Sequence, residues 1–175
     1  MKPIFYDTDV LSCFLSIHDV TLLKKLFDKI IIPYEVFKEL KRAPYIFSDV
    51  LKLINENFLE VWDDDVGSEA HKLFLSLHYG YEFDPIGKGE AAAIALAVIN
   101  NGILASNNTK DVSKAVKKFK IKRIKTGDIF VKAFEEGLIS ENQANDLWKK
   151  MISKNRYLTA NSFSEYLKNN PKSSF

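Results

Sequence analysis

The feature that most constrains this chain is an alternation that runs from the N-terminus to about residue 125. Short apolar runs, β-branched or aromatic, recur between stretches with helical spacing. Ile4-Phe5-Tyr6, Ile30-Ile31-Ile32, Phe58-Leu59-Glu60-Val61-Trp62, Ile103-Leu104-Ala105-Ser106 and a basic stretch at about 121–125 read as strands. Asp7, Pro33, Asp63 and Asn107 close the first four. Val10, Leu11, Phe14 and Leu15 line one side of a helix over 9–17, and Val20, Leu23 and Phe27 one side of a helix over about 19–27. Val36, Phe37 and Leu40 mark a third helix, and a fourth follows Pro44 over about 46–56. Asp63-Asp64-Asp65 is expected to cap a fifth, reaching about residue 78. Parallel strands need such crossovers, because a tight turn can join only antiparallel neighbours. The prediction is an α/β fold with a parallel sheet of about five strands and helices on both faces.

Within that frame, Gly89 to Val98 is apolar on every side and should be a buried helix. After Gly127 the chain turns helical, over about 128–136, 140–153 and 162–169, with Gly137 as a C′ residue and Ser140 as an N-cap. We expect one domain over 1–155, then a C-terminal helix and tail over 156–175 whose last residues, from Asn169, are frayed.

Composition narrows the chemistry. At 46% hydrophobic over 175 residues the chain can bury a core, which excludes wholesale disorder. Cys13 is the single cysteine, so a disulfide framework and a thiolate zinc site are excluded. Cys13 sits on an apolar helix side and should be core. His18, His71 and His78 are scattered. No apolar run is long enough to span a bilayer, and Met1 to Asp7 lacks the apolar region of a signal peptide, so a cytoplasmic location is expected. The net charge of +2 conceals an asymmetry: −6 over residues 1–106 and +8 over 107–175. An acid site facing a polyanion would produce this, and so would ordinary surface variation.

Ligand sites in open parallel sheets lie outside the carboxyl ends of the strands. Asp7 ends the first strand there, and Asn107, Asn108 and Asp111 follow the fourth. Glu39 lies in the helix after the second strand, and Glu90 opens the buried Ala-rich helix. Four acids in one cleft repel one another unless they hold hard divalent cations, Mg²⁺ or Mn²⁺. Taken singly, Asp7, Glu90 and Asp111 also fit helix capping and the helix dipole, and Glu39 fits a surface ion pair.

Four motifs, in order, carry a resemblance. Asp7-Thr8-Asp9-Val10-Leu11-Ser12 resembles the opening motif of PIN-domain ribonucleases. Ile32-Pro33 to Val36 with Glu39-Leu40 resembles their second motif, Gly89-Glu90-Ala91 to Ala97 their third, and Ala105 to Asp111 their fourth. The stretch Thr126-Gly127 to Ile139 is similar to a prokaryotic subgroup with extra C-terminal helices. The resemblance implies a Mg²⁺- or Mn²⁺-dependent endoribonuclease leaving a 5′-phosphate and a 3′-hydroxyl. Asp7, Glu39, Glu90 and Asp111 would be its catalytic acids, with Asp7, Glu90 and Asp111 on the metal and Thr8, Asn107 and Asn108 as hydrogen-bonding support. It also implies RNA as substrate, a toxin–antitoxin setting with an antitoxin partner, and a homodimer. One position departs from the subgroup: two adjacent Asp are usual where Asn107 and Asn108 stand. The alternative is therefore a PIN-like module that binds nucleic acid or protein without cutting.

Asp7-Thr8-Asp9 also resembles the Asp-x-Asp of haloacid-dehalogenase phosphatases. Leu11 replaces the Thr or Val required there, and Lys132 stands where the second acid after Gly127-Asp128 belongs. Six cations in the nine residues 117–125, preceded by Lys110 and Lys114, read as a phosphate-tracking surface built on Lys110, Lys114, Lys117 and Lys118, or as a solvated face guarding an edge strand. Tyr79, Tyr81 and Phe83 could stack on bases or pin a loop. Leu147, Trp148, Met151 and Ile152 form a ridge that fits either the core or a partner.

Overall fold

The computed structural model describes residues 2–81, 84–172 and 174–175. Five strands form one parallel sheet: β1 (Ile4–Tyr6), β2 (Ile30–Pro33), β3 (Leu59–Trp62), β4 (Ile103–Ala105) and β5 (Lys122–Ile124). Their order is β3-β2-β1-β4-β5. The chain thus builds outward from β1 on one side, crosses over, and builds outward on the other. The switch point lies between β1 and β4, where Ile4 pairs Ile103 and Tyr6 pairs Ala105. The sequence did not reveal this order, and it decides which strand ends become neighbours.

Side chains of successive strand residues point to opposite faces. Ile4, Tyr6, Ile30, Ile32, Ile103 and Ala105 therefore enter one core, and Phe5, Ile31 and Leu104 the other. The first core is covered by α1 (Thr8–Leu15), α2 (Thr21–Leu26), α3 (Tyr34–Lys41), α4 (Pro44–Asn55), α8 (Thr126–Glu135), α9 (Glu141–Ser153) and α10 (Phe163–Asn169). The second is covered by α5 (Glu69–Tyr79), α6 (Lys88–Ile99) and α7 (Thr109–Phe119). The α6 helix is buried from Ala91 to Ala97, as its uniformly apolar sequence requires. Ser140 caps α9 through the Gln143 N–H, and Gly137 follows α8 with φ +69°.

Two expectations need correction, and one open reading is resolved. Asp63-Asp64-Asp65 does not cap α5: Ser68 does, accepting from the His71 N–H at 3.1 Å. Asp64 instead contacts the ring of His71, Nδ1 to Oδ2 at 3.1 Å. The end of the chain does not hang free. The Phe175 ring lies 5.7 Å from Phe27, and the Lys132 ammonium sits 5.3 Å from the Phe175 centroid. The apolar ridge of α9 is mainly core, since Trp148 and Met151 are fully buried while Ile152 stays exposed. Trp148 meets Phe130 edge-on at 5.6 Å and donates its indole N–H to the Ala160 carbonyl at 3.0 Å. These contacts tie the residues after 155 to α8 and α9.

Candidate active site at the carboxyl ends of β1 and β4

Because β1 and β4 are neighbours, Asp7 and the segment Ser106-Asn107-Asn108 emerge side by side. Asp7 is buried at the N-cap of α1, where its carboxylate accepts from the Thr8 N–H at 2.6 Å. Its own N–H donates to the Ala105 carbonyl at 2.9 Å, which locks the first residue after β1 to the end of β4. A cleft of about 410 Å³ opens here, lined by Asp7, Thr8, Asp9, Glu39, Glu90 and Asn108, with Ser12, Gly87, Gly89 and Arg156.

Each wall is placed for a local reason. The α3 helix follows Pro33 directly and packs against α6, which carries Glu39 toward the start of α6. Glu39 is then fixed by two donors. The Thr8 hydroxyl donates to Oε2, and the Gly89 N–H donates to Oε1 at 3.0 Å. Glycine at 89 leaves room for the Glu39 carboxylate in this position. A Cβ built there would stand 2.8 Å from Glu39 Oε2 and 3.0 Å from its carboxyl carbon. Glu90 stands in the first turn of α6, where the helix dipole favours a carboxylate.

The electrostatics are those of crowded acids. Burial, and then the charges of Asp9, Glu90 and Glu39, raise Asp7 well above the ordinary carboxylate range. Burial also pushes Glu90 up to about 7, with the charges of Asp9 and Asp111 adding to it. Burial raises Asp9 to about 6, against the lowering effect of backbone N–H groups and of Arg123. Asp9 Oδ2 accepts from the Asn107 N–H at 3.0 Å, while Oδ1 is buried without a hydrogen-bond partner. Among the described residues no three His, Cys, Asp or Glu side chains close into a group around a single point. The acids face the cleft from separate elements.

The remaining expected residues fall around this cleft. Asn108 caps α7, accepting from the Asp111 N–H at 3.2 Å and donating to Asp111 Oδ2 at 2.8 Å. Asp111 itself is exposed and lines an adjoining hollow with Asp84, Pro85, Lys110 and Lys114. Asn107 turns inward. Its side-chain amide donates to Thr126 Oγ1 at 3.0 Å and accepts from the Thr126 N–H at 2.9 Å, joining the end of β4 to the start of α8. Lys110 lines two hollows beside the cleft, Lys114 pairs with Asp84 at 2.8 Å, and Lys117 and Lys118 are exposed farther along α7. Tyr79 and Tyr81 are exposed and do not line the cleft; Phe83 lies outside the described residues.

Sequence reasoning passed over three residues. Asp9 was visible in Asp7-Thr8-Asp9, but it was read only as part of that motif and given no role at the site. Arg123 was counted only as part of a cationic run; half-buried, it donates to the Asn108 carbonyl at 3.0 Å and to Thr109 Oγ1 at 3.3 Å. Arg156 carried no local signal, because only the fold brings the loop after α9 to the cleft.

Three comparisons bear on this arrangement. The family model described as DUF3368, PIN domain, matches residues 3–171. No curated protein matches. Among solved structures, the crystal structure of DNA-bound VapBC from Salmonella typhimurium is similar in fold, with a TM-score of 0.52 at 16% identity, covering 72% of this chain and 99% of that one. The sheet order, the acids at its switch point and a family match over nearly the whole length agree: this chain belongs to the PIN-domain family.

Proposed function

We propose that the protein is a metal-dependent endoribonuclease that hydrolyses RNA phosphodiester bonds, acting as the toxin of a toxin–antitoxin pair. The observation that carries the reading is the gathering of Asp7, Asp9, Glu39 and Glu90 into one open cleft at the switch point, although burial raises Asp7, Asp9 and Glu90 and the charges of neighbouring acids raise Asp7 and Glu90 further. A fold gains nothing from such crowding by itself. An all-oxygen donor set with a buried, unpartnered Asp9 Oδ1 suits Mg²⁺ or Mn²⁺. Mg²⁺ keeps several waters and needs only one or two protein carboxylates, so acids on separate walls fit it.

Asp7, Glu90 and Asp111 would hold the metal, with Asp9 beside them. When bound, the ion supplies activated water and neutralises charge at the phosphate. The chain's own residues do the positioning. Thr8 and the Gly89 N–H orient Glu39, and Asn108 orients Asp111 while shaping the cleft. Asn107 supports the site indirectly by holding the strand end to Thr126. Lys110, Lys114, Lys117 and Lys118 present a basic face to RNA next to the acids. The fold likeness to a VapBC complex supports an antitoxin as protein partner, and a homodimer is the assembly proposed with it.

A second reading, a binding module without activity, is favoured by one specific feature. The Asn107 amide faces Thr126 and Asp111 is exposed, so the end of β4 brings no carboxylate to the lining of the cleft. Incubation of a labelled RNA pool with Mn²⁺, with Mg²⁺ and with EDTA decides between them, using wild type, Asp7→Asn and Asp111→Asn. The nuclease reading expects metal-dependent cutting that Asp7→Asn abolishes. Salt-sensitive RNA binding with no cutting by pure wild type would establish the module instead.

A further inference from the structure

We infer that the loop between α9 and α10 forms a substrate-engaging arm, in which Arg156 grips a phosphate of single-stranded RNA and Tyr157 stacks on an adjacent base. The inference rests on the reading of the cleft as an RNA site and adds to it residues that the family motifs do not contain. Arg156 is a cation among the acids that line the cleft. Its Nε–H donates to the Lys154 carbonyl at 3.1 Å, and among the described residues its guanidinium pairs with no carboxylate. That contrasts with Arg123, whose fork is occupied by the Asn108 carbonyl and Thr109. A guanidinium held at one nitrogen, on a residue that lines the cleft, has its two terminal amino groups left for bidentate contact with a phosphate.

Tyr157 lies next in sequence and is 73% exposed. It lines a hollow of about 450 Å³ that shares Asp9 and Asn108 with the acidic cleft and includes Lys110. An exposed tyrosine beside a basic residue and a carboxylate cleft is a stacking platform for an unpaired base. The arm is held in place rather than loose. The Arg156 N–H donates to the Met151 carbonyl at 3.1 Å, and Asn155 takes a left-handed turn with φ +58°. Beyond it, Trp148 holds Ala160, and Phe163 and Tyr166 are buried. Single-stranded RNA is the favoured occupant because a duplex keeps its bases stacked on one another, out of reach of the ring.

The test is fluorescence anisotropy of a labelled oligouridine in EDTA, which reads binding without the metal and without cleavage, and a matching RNA duplex serves as control. Tyr157→Ala is expected to weaken single-strand binding about tenfold, with recovery in Tyr157→Trp and little change on the duplex. Arg156→Ala is expected to lower the slope of log affinity against log salt by about 0.7, with recovery in Arg156→Lys. In the cleavage assay both alanine variants should raise KM more than they lower kcat. Unchanged single-strand binding in both variants, or equal losses on single strand and duplex, would overturn the proposal. Failure of the nuclease reading looks different: no cleavage by wild type, with the Tyr157→Ala binding defect intact.

Discussion

Glu90→Gln should stabilise this protein at neutral to alkaline pH while destroying its activity. Burial and the charges of Asp9 and Asp111 hold Glu90 at about 7 in the fold, against 4.5 for a free glutamate. Ionising it inside the fold therefore costs about 3 kcal/mol by linkage, and solvent screening in the open cleft reduces this to about 2 kcal/mol. Glutamine keeps the shape and removes the charge. The sign follows from the raised value. The folded state binds the proton more tightly than the unfolded chain, so stability is fully present below about 4.5 and is lost as pH rises through about 7. At pH 8 the variant should melt roughly 4–8 °C above wild type, since 1 kcal/mol moves the midpoint by about 2–4 °C at this size. At pH 4.5 the difference should vanish. Saturating Mn²⁺ should narrow the gap at pH 8, because it stabilises the wild type preferentially. Melting curves by circular dichroism at the two pH values, with and without Mn²⁺, decide the matter. A variant no more stable than wild type at pH 8, or a gain that persists unchanged at pH 4.5, would refute the reasoning.

Three further outcomes follow from the geometry. Gly89→Ala puts a methyl 2.8–3.0 Å from the Glu39 carboxylate, so it should displace that group and slow RNA cleavage about 100-fold; thermal stability should change little, because Gly89 lies in the first turn of α6, where the helix-interior preference for alanine of about 1 kcal/mol is not fully felt. Asn107→Ala strands the buried Thr126 N–H and should cost about 2–3 kcal/mol in urea unfolding, and a loss under 1 kcal/mol would show that the amide does not hold α8 to β4. Gly127→Ala drives a methyl to 2.3–2.5 Å from the Tyr166 ring and should destabilise by about 2 kcal/mol as that ring moves off Asp128, again measured in urea.

The sheet was legible in the sequence because the first four strands are short apolar runs with a clear stop and the basic β5 follows a helix at the spacing of the alternation, and its α6 cover is apolar throughout. The acids Asp7 and Glu90 were legible because they stand just beyond a strand and at a helix start, where the fold class puts chemistry, and Glu39, inside α3, because it falls in the second of the four motifs. What escaped were properties set by tertiary contact. The neighbourhood of β1 and β4 depends on strand order, and local pattern carries no trace of it. The inward turn of Asn107 depends on Thr126, 19 residues away. Ser68 rather than the three aspartates caps α5, because cap choice depends on where the backbone bends. Arg156 reaches the cleft only because Trp148, Phe163 and Tyr166 dock the last helices against Phe130. In sequence it is one cation among many in a positively charged half.

The central claim is that the acidic cleft holds a divalent cation, and electron paramagnetic resonance of Mn²⁺ at pH 7.5 tests it most directly. Titration of wild type, Asp7→Asn and Lys149→Ala (a surface control on α9) would report free and bound ion separately. The account predicts saturable binding in wild type and in the control, and its loss in Asp7→Asn. Binding that survives Asp7→Asn, or no binding by folded wild type, would contradict it.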